Sequence, residues 1–378
     1  MEFRDLKQQY ISHKDAFNAA MQSVLDHADF INGSQVKQLE HELSAYVGVR
    51  HCIACANGTD ALQLALMTWR IGKGDAVFIP DFTFFSSGEV VPLVGATPVF
   101  VDIDKDTYNI SPNSLERAIE YVVQHTDLNP KVIVAVDLFG QPADFKKIRR
   151  IAEQYNLLIL EDAAQGFGGK IGERKACSFG DIATTSFFPA KPLGCYGDGG
   201  AVFTDNDEWA ELLYSYRVHG KGGDKYDNVR IGMNSRLDTL QAAVLLEKMK
   251  FFDEELWLCN QMAEEYRRQL HQFVKIPSIM KDATSSWAQY TICLRNSSQR
   301  EQTMSALKEA GIPSAIYYKK PMHMQKAMHR YHITELDYGN TEEICETCLS
   351  LPMHSYLSTD DTQKVADIIT GTINTGIN

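Results

Sequence analysis

The sequence has 378 residues, 44% of them hydrophobic, and a formal net charge of −12 at pH 7. Such a chain can bury a sizeable core and is long for one domain, so we expect a large domain over residues 1–250 and a small one over residues 251–378. The acidity argues against a nucleic-acid surface, no run approaches the roughly 18 apolar residues of a membrane span, and the first residues do not resemble a signal peptide, so we expect a cytoplasmic protein.

The cysteines include two Cys-x-x-Cys pairs, Cys52/Cys55 and Cys345/Cys348. A zinc ribbon spaces such pairs roughly 15–20 residues apart, whereas these pairs are roughly 300 residues apart. The first pair lies in a strand-like apolar run and the second in an amphipathic helical pattern. Because buried thiols behave as small apolar groups, we expect reduced core cysteines and no metal site.

The first predicted elements are helices within residues 15–46 and a short apolar strand over residues 51–56. Gly58 and Thr59 then open a helix with apolar residues at helical spacing. A helix start of this kind presents backbone N–H groups and a hydroxyl to an anion. The alternative is a plain helix start with a threonine cap.

Strands and helices alternate over the next hundred residues. Several predicted strands are continuous Val/Ile/Leu runs, which are typical of parallel strands covered on both faces. The series predicts a three-layer α/β domain with a mainly parallel sheet. The predicted strands are residues 76–80, 97–102, 132–138 and 157–161, and the predicted helices are residues 86–94, 111–123 and 144–154.

The segment that follows carries the candidate chemistry. The last of these strands delivers Glu161 and Asp162 at its carboxyl end, outside which ligands bind in open α/β sheets. A strand-like run over residues 182–188 then leads to Lys191, which two prolines flank. Because proline lacks the N–H group and fixes φ, Lys191 is predicted on an irregular loop. Lysines in such places are candidates for Schiff-base chemistry, since burial lowers the pKa of the ammonium group.

The rest of the chain predicts two long helices and then a small α+β unit. The long helices cover residues 237–250 and 254–270. The predicted pieces of the small unit are strands at residues 290–294 and 315–318 and helices at residues 298–310, 342–350 and 359–370.

The motifs around Lys191 resemble those of the pyridoxal 5′-phosphate (PLP) dependent sugar aminotransferases of the DegT/StrS type. Glu161-Asp-Ala-Ala-Gln165 and Ser186-Phe-Phe-Pro-Ala-Lys191-Pro-Leu-Gly carry the resemblance, which extends to residues 56–62, 80–84, 232–238, 311–314 and 351–354. It implies an aspartate-aminotransferase-like large domain with a small α+β C-terminal domain. Among the subfamilies, the chain is most similar to enzymes that aminate a UDP-linked 3-keto N-acetyl-hexuronic acid in O-antigen (lipopolysaccharide) synthesis.

The resemblance implies roles for four residues around the cofactor ring. Lys191 would be the amine that binds PLP, and Asp162 the carboxylate that keeps the pyridine nitrogen protonated. Gln165 would bond the ring's 3′ oxygen, and Phe84 would stack on the ring. The alternative for Asp162 is a strand-end helix cap or an ion pair. The alternative for Gln165 is an ordinary turn glutamine, and the alternative for Phe84 is a core phenylalanine. No role is assigned to Glu161.

The resemblance also implies a phosphate cradle and an assembly. Gly58, Thr59 and Ser186 would bind the cofactor phosphate, completed by Asn234. In the family the matching asparagine comes from the neighbouring subunit, so a homodimer with shared active sites is implied.

Candidates for substrate binding are cationic residues, because a nucleotide diphosphate and a hexuronate carboxylate both attract cations. They are Arg230, Lys319, Lys320 and His323, with Arg230 favoured for the carboxylate. The alternative for each is a solvated surface charge.

The implied reaction is a ping-pong transamination. L-glutamate would convert PLP to pyridoxamine 5′-phosphate (PMP), and a keto-sugar, UDP-2-acetamido-2-deoxy-3-oxo-glucuronate, would take the amine. One alternative substrate is a dTDP- or UDP-linked 3- or 4-keto-6-deoxyhexose. Alternatives of another class are a PLP-dependent sugar dehydratase, in which a histidine replaces the lysine, and a non-catalytic regulatory binding protein.

Overall fold

The computed structural model describes residues 1–224 and 226–375. The elements of the first half are α1 (Leu6–Ser12), α2 (Lys14–His27), α3 (Ser34–Val47), β1 (His51–Cys55), α4 (Gly58–Thr68), β2 (Asp75–Pro80), α5 (Ser86–Leu93), β3 (Thr97–Val101), α6 (Pro112–His125), β4 (Asn129–Val136), α7 (Phe145–Tyr155), β5 (Leu158–Asp162), β6 (Lys170–Ile171), β7 (Arg174–Lys175) and β8 (Ile182–Ser186).

The second half continues with β9 (Gly200–Thr204), α8 (Asp207–Tyr216), α9 (Thr239–Met249), α10 (Phe252–Leu270), β10 (Ala283–Thr284), β11 (Tyr290–Cys293), α11 (Ser297–Glu309), α12 (Gly339–Thr347), β12 (Cys348–Leu351) and α13 (Thr359–Thr375). Short 3₁₀ turns occur at Leu138–Gly140 and His329–Tyr331.

Within the described residues the main sheet has seven strands, in the order β1-β9-β8-β5-β4-β2-β3. Five neighbouring strands of this sheet are parallel, namely β8, β5, β4, β2 and β3. Strand β9 pairs antiparallel with both β8 and β1. Because successive strand residues face opposite sides, Val77 and Ile79 pack with α4, α5 and α8, whereas Ala76 and Phe78 pack with α6 and α7. Helices cover both faces, so the predicted three-layer fold with a mainly parallel sheet is confirmed.

A separate apolar cluster lies in the C-terminal part of the chain. Its buried members, between residues 259 and 373, come mainly from α10, α11 and α13 and from the pair of strands β11 and β12. This is the predicted small α+β unit. The division at residue 250 stays a prediction.

One predicted element of the small unit is wrong at its end, and a second is wrong over most of its length. The predicted helix over residues 342–350 ends at Thr347, and Cys348–Leu351 forms β12, which pairs with Tyr290–Cys293. Of the strand predicted over residues 315–318, only Ala315 pairs, in an isolated bridge to Ser350. Short apolar runs do not distinguish strand from helix by periodicity, so strand pairing decided both cases.

The cysteines are buried free thiols, which confirms the predicted burial of both Cys-x-x-Cys pairs. Within residues 1–224 and 226–375, no group of His, Cys, Asp and Glu side chains is arranged to hold a metal ion. In the same part of the chain, no helix combines the length and apolar character that crossing a membrane requires.

Candidate active site

The ends of several elements enclose one large cavity. Strands β5 and β8 are parallel neighbours and end at Asp162 and Ser186, and α4 begins beside them at Gly58. The cavity has a volume of about 790 Å³ and reaches residues 316–325 of the small unit. The predicted residues in its wall are Gly58, Thr59, Phe84, Asp162, Gln165, Ser186, Lys191 and Lys320.

Lys191 lies on the irregular loop between β8 and β9, as the flanking prolines predict. Its backbone N–H donates to the carbonyl of Phe188 over 2.8 Å, and its side chain is half-buried in the cavity wall. Burial lowers the pKa of its ammonium group to about 8, although the charge of Asp162 acts in the opposite direction. A lysine of this kind carries more free amine at neutral pH than a solvated one.

Asp162 is buried and held by defined donors. The Ser87 hydroxyl donates to its Oδ2 over 2.7 Å, and the Ala164 N–H donates to its Oδ1 over 3.2 Å. Burial raises the pKa of this carboxyl, while the two hydrogen bonds and the charge of Lys191 oppose the rise. The buried carboxylate therefore lies close enough to the ammonium group of Lys191 for the two charges to interact.

Glu161 points to the other face of the strand. Its two carboxyl oxygens accept hydrogen bonds from the backbone N–H groups of Cys177, Phe179 and Gly180, at 2.5 to 2.8 Å. Burial raises the pKa of Glu161 to about 7, and these hydrogen bonds oppose that rise. Its contacts make it a support for the turn before β8.

Gln165 has a fixed side-chain amide. Its Oε1 accepts from the Phe139 N–H over 2.7 Å, so the amide orientation is determined, and its Nε2 donates to the hydroxyl of Tyr318 over 2.9 Å. An amide nitrogen carries two hydrogens, so a second one is available for a ligand in the cavity. Burial raises the pKa of the Tyr318 hydroxyl.

The start of α4 meets the end of β8 at close range. A Cβ atom on Gly58 would lie 2.7 Å from the Cβ of Ser186, so only glycine permits this approach. The first N–H groups of a helix have no acceptor within the helix and attract anions. The Thr59 hydroxyl is held 2.8 Å from that of Ser86. These groups and the Ser186 hydroxyl can bind a phosphate.

Phe84 differs from its aromatic neighbours in exposure. Its side chain is 55% exposed at the cavity wall, whereas Phe82 is 1% exposed and belongs to the core. Its ring centre lies 6.3 Å from that of Tyr318. An exposed aromatic face inside a cavity is a surface on which a flat ring can stack.

Four of the predicted residues lie outside the cavity wall of this single chain. Arg230 is exposed, lines a separate shallow groove and donates to the Ser215 hydroxyl over 2.9 Å, while Asn234 forms an isolated bridge with Val218. Lys319 is exposed, and only its neighbour Lys320 reaches the wall.

His323 is the fourth residue outside the wall, and its contacts are structural. Its side chain is 2% exposed, and its Nδ1 lies 2.6 Å from Oδ2 of Asp81. Its ring also stacks on Tyr338. We therefore do not retain His323 as a substrate residue.

Sequence reasoning missed several residues of the site. Ser87 and Tyr318 hold Asp162 and Gln165, and Tyr317 and Gln289 also line the cavity. The Oε1 atom of Gln289 is buried without a hydrogen-bond partner among the described residues. The polar run after β2 could have suggested Ser87, whereas no local signal marks Tyr318 or Gln289.

The cavity fits PLP on its own geometry. It combines a half-buried lysine, a buried carboxylate beside it, a helix start that a side chain at Gly58 would obstruct, and an exposed aromatic face. These are the amine, the partner of the pyridine nitrogen, the phosphate site and the ring-stacking surface that PLP requires from a protein.

Comparisons with known proteins agree over nearly the whole chain. Residues 12–370 match the DegT/DnrJ/EryC1/StrS aminotransferase family. The chain is 43% identical to the UDP-2-acetamido-2-deoxy-3-oxo-D-glucuronate aminotransferase of Pseudomonas aeruginosa, over 98% of this chain and 99% of that protein.

Two solved structures extend the agreement. A DegT DnrJ EryC1 StrS aminotransferase from Brucella abortus is 48% identical, with a TM-score of 0.96 over 98% of this chain and 99% of that one. NtdA from Bacillus subtilis, solved with bound PMP, is 29% identical, with a TM-score of 0.87 over 96% and 82% of the two chains.

Proposed function

Because the chain belongs to the DegT/DnrJ/EryC1/StrS aminotransferase family, we propose that it moves an amino group from L-glutamate to a nucleotide-linked keto-sugar with the help of PLP. The observation that carries this proposal is the convergence of Lys191, Asp162, Gln165 and the start of α4 on one cavity. A relative solved with bound PMP supports the choice of cofactor.

The chain's own residues divide the work of such a reaction. Gly58, Thr59 and Ser186 would hold the cofactor phosphate, and Asp162 would hold a proton on the pyridine nitrogen. The bound cofactor supplies an electron sink. The Nζ atom of Lys191 would take a proton from the amine-bearing carbon of the donor and return one to the acceptor carbon of the sugar, for which a pKa near neutrality is suited.

The proposed sugar substrate is UDP-2-acetamido-2-deoxy-3-oxo-glucuronate, for O-antigen synthesis. The name and the 43% identity of the Pseudomonas relative support it. Lys320 in the cavity wall offers a cation for the diphosphate or the carboxylate. A 3- or 4-keto-6-deoxyhexose linked to dTDP or UDP is the second candidate. It lacks the carboxylate and would need one cation fewer.

We also propose a cytoplasmic homodimer with shared active sites. The segment that carries Arg230 and Asn234 exposes Ile231 by 91% and Val229 by 53%, and apolar side chains exposed together mark an interaction surface. Among the described residues in the cavity wall, Lys320 is the cation besides Lys191. A second subunit that brought Arg230 and Asn234 would supply the missing polar groups.

The class of reaction is tested by absorbance. Purified protein with PLP should show the visible band of a cofactor bound to a lysine, borohydride should trap it covalently on Lys191, and glutamate should bleach it. Lys191→Ala should abolish the band and the trapping. A colourless protein would instead support a regulatory binding protein, and a stable band that glutamate leaves unchanged would contradict transamination.

The substrate is tested by competition between sugars. Amine transfer from glutamate to UDP-linked 3-keto-hexuronate should exceed transfer to dTDP-linked keto-6-deoxyhexoses. Lys320→Ala should raise the KM for the sugar nucleotide more than the KM for glutamate, since only the sugar nucleotide carries a diphosphate. Turnover of the deoxyhexose alone would overturn the proposed substrate and leave the class of reaction intact.

A further inference from the structure

The first residues of the chain contact the back of the lysine loop. The Nη2 atom of Arg4 donates to the carbonyl of Lys191 over 3.1 Å, and it lies 3.4 Å from the carbonyl of Pro192. Arg4 is separated from Lys191 by 187 positions in the sequence and from Pro192 by 188. The guanidinium group therefore lies on the backbone side of the residue whose side chain faces the cavity.

The segment that carries Arg4 is fixed to the small unit. The carbonyl of Glu2 accepts from Nε2 of His354 over 3.2 Å, and the carbonyl of Phe3 accepts from the Met353 N–H over 3.2 Å. The Tyr356 N–H donates to Nδ1 of the same histidine, which determines its tautomer. Residues 2–4, which we call the N-terminal strap, thus join the small unit to the lysine loop.

The strap also reaches the cavity wall. The ring of Phe3 lies edge-on to that of Tyr317, with 6.1 Å between the ring centres, and Tyr317 lines the cavity next to Tyr318. One segment therefore contacts both the loop that carries the amine and an aromatic residue of the cavity wall.

The charges around Arg4 do not form a closed ion pair. Its Nη1 atom is buried without a hydrogen-bond partner among the described residues. Glu255 of α10 acts on it electrostatically and accepts hydrogen bonds from Gln9, Ser355 and Tyr356. The direct hydrogen bonds that the structure gives to the Arg4 guanidinium group go to the lysine loop.

The lysine loop is irregular on both sides of Lys191. Prolines on both sides of Lys191 leave the backbone outside any regular ladder, and the Lys191 N–H bonds within the loop to Phe188. A partly buried carbonyl that loses its donor is costly, so we expect the loop to move toward water without Arg4. The Nζ atom would then lose its placement and its burial.

We propose that Arg4 is a positioning residue for Lys191, and that the N-terminal strap sets the placement and the reactivity of its amine. The inference rests on the proposed role of Lys191. In support, burial is the main cause that lowers the pKa of Lys191, and the nearby positive charge of Arg4 lowers it further. Loss of Arg4 removes its charge and, through movement of the loop, reduces the burial of the amine, so the pKa of the amine should rise.

The experiment measures the amine itself in cofactor-free protein. Wild type, Arg4→Gln, Arg4→Lys and the control Lys7→Gln are pulse-labelled with acetic anhydride across the neutral and alkaline pH range. Lys7 is an exposed cation on α1, which follows the strap. Mass spectrometry then quantifies acetylation of the Lys191 peptide relative to exposed lysines. Circular dichroism confirms that each variant is folded.

Arg4→Gln should shift the labelling midpoint of Lys191 to higher pH and lower its labelling at neutral pH at least about threefold, because a rise of one pKa unit lowers the free amine about tenfold. Arg4→Lys keeps the charge and loses the forked donor, so it should fall between Arg4→Gln and wild type. Lys7→Gln should match wild type.

Unchanged labelling in folded Arg4→Gln would overturn the inference, and so would an equal shift in Lys7→Gln. If Arg4→Gln does not fold, the labelling midpoint of Lys191 in Arg4→Lys is the test. A midpoint above that of wild type would support the inference, and an equal midpoint would overturn it. Borohydride trapping on Lys191 tests the proposed function separately. If borohydride does not trap the cofactor on Lys191 but Arg4→Gln still shifts the labelling midpoint, the proposed role of Lys191 is overturned. The inference that Arg4 positions Lys191 then stands.

Discussion

His323 and Asp81 join the small unit to the loop that carries Phe84. The Nδ1 atom of the His323 ring lies 2.6 Å from Oδ2 of Asp81, and the backbone N–H of His323 donates to Oδ1 of Asp81 over 2.8 Å. Both side chains are almost fully buried. Asp81 begins the loop that carries Phe84, and His323 adjoins the segment that carries Lys320, so the pair fixes two walls of the cavity relative to each other.

We predict that His323→Ala destabilises the protein by about 3–5 kcal/mol near neutral pH, because the buried Asp81 carboxylate loses its side-chain partner and keeps the backbone N–H of residue 323. Urea unfolding of the cofactor-free protein measures this change. His329→Ala, an exposed histidine of the same region, is the control and should change stability by less than about 0.5 kcal/mol. A loss that is equally small in His323→Ala would show that the pair does not hold the two walls.

The cost of His323→Ala should depend on pH. Burial raises the pKa of Asp81, and contacts with His323 oppose that rise, so the variant should have a still higher folded-state pKa. A carboxyl whose pKa is higher in the folded than in the unfolded protein binds its proton more readily in the folded state. Between its unfolded-state pKa and its folded-state pKa, the stability of the protein therefore falls as the pH rises. The difference from wild type should therefore be smaller near pH 5 than near pH 7. An equal difference at both would contradict a buried charge as the cause.

The candidate residues that line the cavity come from local sequence patterns. A strand end supplies Asp162, two prolines fix the loop of Lys191, and a helix start supplies Gly58, and each of these depends on a few neighbouring residues. Contacts between distant segments were not predictable. His323 lies 242 positions from Asp81, and its residue type suggested a substrate role, whereas the structure buries it against Asp81 outside the cavity wall. Likewise Cys348–Leu351 became a strand only because Tyr290–Cys293 pairs with it.

Gly58→Ala should weaken cofactor binding at least about fivefold, since overpacking of this kind costs about 1–3 kcal/mol. The added Cβ would lie 2.7 Å from Ser186 and push apart the two sides of the phosphate site. Titration with PLP, followed by absorbance, measures the dissociation constant. Gly72→Ala is the control, because its added Cβ would meet Val94 at an ordinary 3.6 Å. Wild-type affinity in Gly58→Ala would place the phosphate elsewhere.

Asp162→Asn should lower kcat at least about 100-fold, because an amide cannot hold the proton that a carboxylate holds on the pyridine nitrogen.

Ser87→Ala is a milder change that removes one hydrogen bond to the Asp162 carboxylate, worth about 1.5–3 kcal/mol. That bond lowers the pKa of Asp162, so its loss should raise this pKa and move the acid limb of the kcat/KM profile to higher pH. An unmoved acid limb in Ser87→Ala would argue that another group controls it.

Lys191→Met should stabilise the cofactor-free protein near neutral pH. Burial lowers the pKa of Lys191 from 10.5 to about 8, so below about 8 the folded protein retains an unfavourable buried charge. Between these two values the unfolded chain binds a proton that the folded chain has lost, so wild-type stability rises with pH. The advantage of Lys191→Met should therefore shrink as pH rises from 8 toward 10.5.

Lys248 provides the matched control for this prediction. It is a buried lysine outside the cavity wall, and burial lowers its pKa to about 8 as well. Lys248→Met should show the same direction of pH dependence and should keep the cofactor band, whereas Lys191→Met should lose it. Urea unfolding at several pH values measures the first effect. A gain in Lys191→Met that does not vary with pH would exclude ionisation as its source.

Mixing two inactive variants should restore activity if the sites are shared between subunits. Lys191→Ala damages the cavity, and Arg230→Ala damages the exposed segment, which this single chain keeps outside the cavity wall. After unfolding and refolding an equal mixture, half of the dimers are mixed, and each has one intact site, so about a quarter of wild-type activity should return. The measured quantity is the rate of amine transfer from glutamate to the sugar nucleotide.

Two controls make the result specific. Each variant refolded alone should stay inactive, and the activity of the mixture should fall when one variant is present in large excess, because few mixed dimers then form. Substrate binding by Arg230 from within its own chain predicts no recovery, since every site would then carry one of the two substitutions. A recovered activity would instead require that Arg230 reach the cavity of a second subunit, for which its exposed position beside the exposed Ile231 is suited.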